Sequence, residues 1–274
     1  MLIALVTWRG LPELAADDRL LQQALIRRGV DARAVVWDDA TVDWRAFHAI
    51  VVRSTWDYHK RVDEFRAWLD RMDGLPLWNP PELLRRNIHK SYLLELEAQG
   101  VNIVPTILVR QGQPMPALPW DDVIVKPAVS ATAYGIVRER KWRTGNPACP
   151  DRQDCLSSTG DVLVQPFVPE IVEDGELSFV FLGRQFSHAV LKRPRSGDFR
   201  VQHDFGGSAT RIDPPRELIA EAERIAATLG ERWLYARVDC VVREGQLLLM
   251  ELEATEPSLF LDQAAAERFA DALT

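Results

Sequence analysis

Three acidic residues near the end of the chain lie among apolar neighbours. Asp239 lies within an apolar run, and Glu251 and Glu253 directly follow the apolar run 247–250. The Glu244-Gly245 turn between the runs predicts an antiparallel hairpin that brings the three carboxylates together. They would repel each other unless a cation lay among them, and clustered oxygen ligands are typical of Mg²⁺ sites. We therefore predict a metal site; the residues alone also allow carboxylates that merely end the strands at a solvated rim.

Two lysines are candidates for binding phosphate groups. Lys126 ends the apolar strand 123–125, and Lys90 lies in the segment that follows a double proline at 80–81. Either lysine could instead be a surface residue whose charge reaches water. The small residues of 127–135 would let backbone amides approach a phosphate closely, although such runs also form ordinary turns.

A further group of cations stands out because the protein is acidic, with a formal net charge of -7. The group comprises Lys192, Arg193, Arg195 and Arg200. Guanidinium and ammonium groups at this density favour an anion-binding site, with a solvated loop as the alternative.

Composition excludes several classes of protein. The net negative charge disfavours a nucleic-acid partner, whose electrostatic requirement is basic. Three cysteines without CxxC spacing, at 149, 155 and 240, disfavour a disulfide framework or zinc site and predict reduced thiols. No run approaches the roughly 20 apolar residues that span a bilayer. The N-terminus has no basic leader, so we expect a cytoplasmic protein without a membrane partner.

The elements that must position these residues indicate an α/β fold in three lobes. Strand, helix and strand alternate in residues 1–80, which predicts a parallel, helix-covered sheet. A central lobe is expected at 81–164, with a helix up to Gly100 and a strand at 101–108. A C-terminal lobe at 165–274 would carry the acidic hairpin, and the polar stretch 143–160 is predicted to be a surface loop.

Common catalytic fingerprints are absent from the sequence. It contains no GxxxxGK[ST] phosphate loop, no GxGxxG dinucleotide motif and no GxSxG nucleophile elbow. The five histidines show no HExxH spacing. The chemistry is therefore expected to rest on the carboxylates and cations.

Taken in order, the chemical segments resemble the ATP-grasp superfamily across residues 78–262. The matching segments are 87–90, 123–127, 162–168, 174–178, 197–207, 238–240 and 250–253. Segment 197–207 is most similar to the glutathione-synthetase and ribosomal-protein-glutamate-ligase branch. The resemblance implies an ATP-grasp fold, with an N-terminal parallel α/β lobe and two α+β lobes that sandwich ATP.

The resemblance also implies how ATP and its metal would be bound. Lys90 and Lys126 would hold the ATP phosphates, and Glu176 would bind the ribose hydroxyls. The adenine would lie along a hinge formed by Gln165, Phe167 and Val168. The ligands of Mg²⁺, or of Mn²⁺ in its place, would be Asp239, Glu251 and Glu253.

Catalysis is implied to proceed by phosphorylation of a substrate carboxylate to an acyl phosphate, which a nucleophile then attacks. Lys192 and Arg200 would stabilise the transferred phosphoryl group. Two departures from the family pattern are Glu253, where asparagine is frequent, and the alanine-containing loop after Lys126, which is usually rich in glycine.

Segments 53–58, 78–80, 126–131 and 251–260 are similar to the ligases that close O-ureido-serine to cycloserine. Because Arg53 and Asp57 follow an apolar strand of the first lobe, we predict that they bind substrate. Alternatively, the two residues pair with each other while Trp56 packs.

A small carboxylate and an amine are the expected substrates, and the protein is expected to be a monomer or homodimer. Two other functions remain open at this point. The protein could be a ligase that adds amino acids to a peptide or protein end, or a non-catalytic nucleotide-binding module of the same fold.

Overall fold

The computed structural model describes residues 1–140, 160–202 and 205–274. The polar stretch predicted as a surface loop, apart from Gly160, lies outside the described residues, as do Cys149 and Cys155. Cys240 is a buried free thiol.

The first sheet is parallel and four-stranded, as the alternation of strands and helices predicts. It contains β1 (Leu2–Thr7), β2 (Asp31–Val36), β3 (Ala49–Ser54) and β4 (Leu77–Trp78), in the order β2-β1-β3-β4. Helices α1 (Ala16–Arg27) and α2 (Val62–Arg71) connect strands of this sheet. Because side chains alternate along a strand, Ile3 and Leu5 enter one hydrophobic cluster and Ala4 and Val6 another.

The segment after the double proline forms two short helices instead of the single helix predicted. These are α3 (Pro81–Asn87) and α4 (Tyr92–Ala98). Between them the Lys90 backbone N–H donates to the Ala128 carbonyl at 2.7 Å. The break therefore ties Lys90 to the segment that follows Lys126.

The second sheet is antiparallel, in the order β5-β8-β6-β7. Its strands are β5 (Ile107–Val109), β6 (Asp122–Pro127), β7 (Val137–Arg140) and β8 (Val162–Pro166). The strand predicted at 101–108 is wrong for its first part, because Pro105 has no N–H for a ladder and only Ile103 makes an isolated bridge. β8 extends two residues past the lobe boundary expected at residue 164.

The third sheet is antiparallel and five-stranded, in the order β11-β10-β9-β12-β13. It comprises β9 (Glu176–Leu182), β10 (Gln185–Arg193), β11 (Ser208–Ile212), β12 (Tyr235–Arg243) and β13 (Gln246–Glu253). The predicted hairpin is β12–β13. Helices α5 (Glu170–Glu173) and α6 (Arg216–Ala227) pack against this sheet.

The last helix, α7 (Gln263–Leu273), returns to the first sheet and packs against α1. One hydrophobic cluster accordingly contains residues of β1, α1, β12 and α7. None of the helices described here is both long and apolar enough to pass through a lipid bilayer.

Candidate active site

The three hairpin carboxylates converge as the sequence predicts. Asp239 lies opposite Glu251 in the β12–β13 register, and Glu253 lies opposite Arg237. One carboxylate oxygen from each of Asp239, Glu251 and Glu253 lies within 4.8 Å of the others. The carboxylates therefore form one compact acidic cluster.

Arg237 is a member of this cluster that sequence reasoning missed. Its Nη2 donates to Asp239 at 2.8 Å and to Glu253 at 2.6 Å, and its Nη1 donates to the Ser258 carbonyl at 2.9 Å. The signal was present in the sequence, because Arg237 stands two positions from Asp239 and shares its strand face.

Two lysines approach the cluster from the central region. Lys90, held at the break between α3 and α4, forms an ion pair with Glu251 and donates to the Ser130 carbonyl at 3.0 Å. Lys126 is buried beside them, and burial lowers the pKa of its ammonium group, with Lys90 acting in the same direction. Among the described residues the ammonium group of Lys126 has no hydrogen-bond partner. This group is therefore available to bind an anion.

A third lysine approaches from β10. Lys192 forms an ion pair with Glu176 and lies 3.4 Å from Asp239, which also accepts a hydrogen bond from the Ser178 hydroxyl. The Glu176 carboxylate thus lies beside the acidic cluster in this arrangement. Its expected role toward the ribose remains a prediction.

Charge is balanced unevenly within the cluster. Burial alone raises the pKa of Asp239, but Arg237 and Lys192 outweigh it and hold the value at about 2. Burial, together with Glu251 and Asp239, raises the pKa of Glu253 to about 7 in spite of Arg237. Among the three carboxylates, the charge of Glu253 is therefore the least compensated.

This donor set fits Mg²⁺. The three carboxylates supply hard oxygen ligands, and a divalent cation would compensate the charge of Glu253. Such a cation would be held by Asp239, Glu251 and Glu253.

Two cavities meet at the cluster. The larger has a volume of about 560 Å³ and reaches from Lys90 and Lys126 to Trp56 and Tyr58 of the first lobe. The smaller, about 100 Å³, extends in the other direction, along β8 and the segment that follows it. Their common wall contains the charged residues Lys126, Lys192, Arg237, Glu251 and Glu253.

The smaller cavity contains the residues expected at the nucleotide base. Gln165, Phe167 and Val168 line it, together with apolar side chains that include Ile124 and Met250. The Gln165 amide donates to Thr106 Oγ1 at 2.8 Å. The apolar walls suit a flat heterocycle.

Arg200 and Lys192 both line the smaller cavity, but their charged groups pair with different carboxylates. The Arg200 guanidinium donates to Asp198, at 2.8 Å from Nη2, and stacks 3.6 Å from the Phe205 ring centroid. The predicted role of Arg200 at the phosphoryl group would require it to leave Asp198.

The role of Arg53 in substrate binding stays a prediction, which the packing of its side chain does not favour. Its side chain is fully buried, and its Nε donates to Asp18 at 2.8 Å while Nη2 donates to the Pro257 carbonyl at 2.8 Å. Arg53 lines neither cavity among the described residues. The sequence correctly predicted that Arg53 lies at the end of a strand. Tertiary packing covers that strand end.

The corresponding role of Asp57 also stays a prediction, whereas the alternative, an Arg53–Asp57 pair, is wrong because Arg53 pairs with Asp18. Asp57 accepts a hydrogen bond from Trp37 Nε1 at 2.9 Å and faces Arg61 at 3.5 Å. The residues of this segment that do line the larger cavity are its neighbours Trp56 and Tyr58. Trp56 and Tyr58 were not predicted as site residues because an aromatic residue in a loop does not by itself indicate a chemical role.

Comparison with known proteins identifies the family. A sequence profile described as D-cycloserine synthetase DcsG, N-terminal domain, matches residues 3–79. The cycloserine biosynthesis protein DcsG of Streptomyces lavendulae is 30% identical over 294 aligned residues, which cover 99% of this chain and 97% of the relative. The chain belongs to the DcsG family.

Solved structures agree with this assignment. The crystal structure of the D-cycloserine synthetase DcsG superposes with a TM-score of 0.85 at 30% identity, covering 100% of this chain and 98% of that one. A RimK domain ATP-grasp protein from Sphaerobacter thermophilus DSM 20745 superposes with a TM-score of 0.70 at 19% identity, covering 99% of both chains. At that identity the second likeness shows the fold alone. The ATP-grasp fold expected from the sequence is confirmed, and this DcsG-family chain is an ATP-dependent ligase.

Proposed function

We propose that the protein uses Mg²⁺ and ATP to phosphorylate the carboxylate of a small amino acid and then closes that amino acid into a ring. The cycloserine-forming reaction, with O-ureido-serine as substrate, is the specific form. The observation that carries the proposal is the charged wall shared by the two cavities. A nucleotide in the smaller cavity and a carboxylate in the larger one would meet at this wall.

The residues of the wall suit phosphoryl transfer, which depends on positioning and charge neutralisation. Lys126, Lys192 and Arg237 supply fixed positive charge. Mg²⁺ held by the carboxylate cluster would neutralise phosphate charge. The larger cavity would keep water from the acyl phosphate.

The bond changes need no protein nucleophile. A substrate carboxylate oxygen attacks the γ-phosphorus of ATP, the bond to ADP breaks and an acyl phosphate forms. The substrate nitrogen then attacks the acyl carbon, the carbon–nitrogen bond forms, and phosphate leaves as the nitrogen loses its proton. With O-ureido-serine, release of cycloserine also requires hydrolytic loss of the carbamoyl group.

The proposal is tested by ADP and phosphate release with Mg-ATP against O-ureido-serine, small amino acids and short peptides, with mass spectrometry of the products. Release stimulated by O-ureido-serine, with a cyclic product, is the expected result. Stimulation by peptides alone would instead identify a peptide ligase. ATP binding without release across the panel would favour a non-catalytic module.

Asp239→Asn and Glu251→Gln test the metal site within the same assay. Each variant should lose roughly 1,000-fold or more in turnover, because phosphoryl transfer would lose a metal ligand. Circular dichroism should show folded protein in both cases. Near-normal ADP formation by both purified variants contradicts the metal assignment, and a Lys126→Ala variant checks the nucleotide position.

A further inference from the structure

Glu256 presents a buried carboxylate without a partner. It lies three residues beyond Glu253, is 9% exposed and lines the larger cavity. Within the ranges 1–140, 160–202 and 205–274, its carboxylate makes no ion pair or hydrogen bond. A buried carboxylate left alone is costly, so this position favours a ligand that brings a cation or a hydrogen-bond donor.

The backbone around Glu256 is held firmly. Four consecutive carbonyls, those of residues 256–259, each accept a hydrogen bond from a different side chain: Trp56, Arg53, Arg237 and His188. Two of the donors, Trp56 and Arg237, line the larger cavity, and the other two come from β3 and β10. The backbone position of Glu256 is therefore set by contacts with the rest of the fold.

The surroundings of Glu256 suit an organic cation. Trp56, Tyr58 and Phe260 contribute aromatic surface to the same cavity, and aromatic faces attract ammonium groups. Burial and the charge of Glu256 both raise the pKa of the Tyr58 phenol, which is consistent with the two groups being close. An acid with adjacent aromatic rings is a recognised setting for a substrate ammonium group.

Charge complementarity gives the orientation of an amino-acid substrate in the larger cavity. An amino acid is a zwitterion whose carboxylate and ammonium are separated by one carbon atom. If its carboxylate lies against Lys126, Lys192 and Arg237, its ammonium requires an anion close to these cations. Glu256 meets this condition, since it lines the same cavity as all three cations.

We propose that Glu256 binds the α-ammonium group of the substrate and so selects amino acids over carboxylic acids that lack the amino group. This assignment rests on the proposed function, since it takes the substrate to be an amino acid phosphorylated at the shared wall.

The test compares matched substrates that differ only in the amino group. O-ureido-serine is paired with 3-(ureidooxy)propanoate, and serine with 3-hydroxypropanoate, in assays of ADP release. The wild-type protein should show a lower KM for the amino member. Glu256→Gln should raise that KM roughly 10- to 100-fold, the value of one hydrogen bond to a charged group. It should leave the KM of the desamino member and that of ATP unchanged.

Three variants serve as comparisons. Glu231→Gln makes the same chemical change at an exposed position and should alter none of these constants. Glu256→Asp keeps the charge and should retain part of the preference, which protects the test if Glu256→Gln folds poorly. Asp17→Asn removes the other acid of the same cavity that makes no ion pair among the described residues, and it should leave the preference for the amino member unchanged.

The outcomes separate the two proposals. If Glu256→Gln weakens both members of a pair alike, Glu256 acts on a metal or on the fold, and the assignment is overturned. Loss of the preference in Asp17→Asn, and not in Glu256→Gln, also overturns it. Either result leaves the proposed ligase intact. If the wild-type protein uses a carboxylate but no amino acid, the proposed function fails and the assignment fails with it.

Discussion

Two buried arginine–aspartate pairs lie in this molecule, and they have different surroundings. Arg53 pairs with Asp18 at 2.8 Å, and its guanidinium lies 4.8 Å from the centroid of the Tyr235 ring. Arg237 pairs with Asp239 at 2.8 Å, and the same guanidinium also reaches Glu253. The first pair is enclosed by protein, whereas the second faces both cavities.

The comparison shows that a buried ion pair does not by itself indicate function. The Arg53 pair has all of its charge balanced by fixed protein groups, since Ser54 also donates to Asp18 at 2.6 Å. The Arg237 pair belongs to a cluster in which the charge of Glu253 is incompletely compensated, since the pKa of that carboxyl is raised to about 7. Access to a cavity and incomplete charge balance distinguish the second pair as a candidate catalytic group.

The largest effect is expected when the enclosed pair is broken. Arg53→Met should lower the free energy of unfolding by about 3–5 kcal/mol, because Asp18 is left buried and uncompensated. Urea denaturation followed by circular dichroism measures this change. The folded fraction should retain near-normal turnover at saturating substrate, because Arg53 lines neither cavity of the described residues.

A double variant provides the control for this experiment. Asp18→Asn combined with Arg53→Met removes both charges and should recover much of the lost stability. If Arg53→Met instead leaves stability intact and lowers turnover, the distinction between the two pairs is wrong.

Breaking the open pair should affect catalysis more than folding. Arg237→Met should reduce turnover about 100-fold, because phosphoryl transfer loses one fixed cation. Its unfolding free energy should fall by less than that of Arg53→Met, since Lys192 and Ser178 still contact Asp239. Steady-state ADP release and urea denaturation of the same preparation give both values. Equal stability losses in the two variants would remove the contrast.

A smaller effect on stability is expected from a buried histidine that makes no ion pair among the described residues. His188 Nε2 donates to the Leu259 carbonyl at 3.0 Å, and burial lowers the pKa of its imidazole to about 4. Below the unfolded value of about 6.5, the unfolded chain binds a proton that folded His188 does not. Stability from this residue is therefore complete above about pH 7 and declines as the pH falls toward 4.

Between pH 7.5 and pH 5 the loss should be up to about 2 kcal/mol. Guanidinium or urea titrations at the two pH values measure it. His188→Gln keeps a donor without titrating and should flatten this part of the pH dependence, whereas His48→Gln at an exposed position should not. An unchanged slope in His188→Gln would assign the pH dependence to other groups.

Much of the fold and of the charged cluster could be predicted from the sequence. Alternation of strands and helices gave the parallel first sheet, and the apolar runs around Gly245 gave the β12–β13 hairpin. Asp239, Glu251 and Glu253 were found because acids are rare within apolar strands. Lys90 and Lys126 were found through the ordered family pattern, and both lie beside Glu251 or its neighbours.

The remaining features depend on tertiary contacts. The single predicted helix divides at Lys90 because the backbone there bonds to Ala128, which is distant in sequence. Arg53 ends its strand as predicted, but the segment 257–259 covers it. Glu256 and Tyr58 lie in segments that resemble the cycloserine-forming ligases, but their place on the wall of the larger cavity is apparent only once the chain is folded.

The carbonyls of residues 256–259 have a consequence for how this ligase could be altered. Because each carbonyl accepts from a side chain elsewhere in the fold, inserting or deleting one residue here would shift every acceptor out of register. The length of this segment is therefore fixed, while the side chain at position 256 does not contribute to those four bonds. Substitutions at 256 should change which molecule is accepted without moving the backbone, which makes it a suitable position for redesigning specificity.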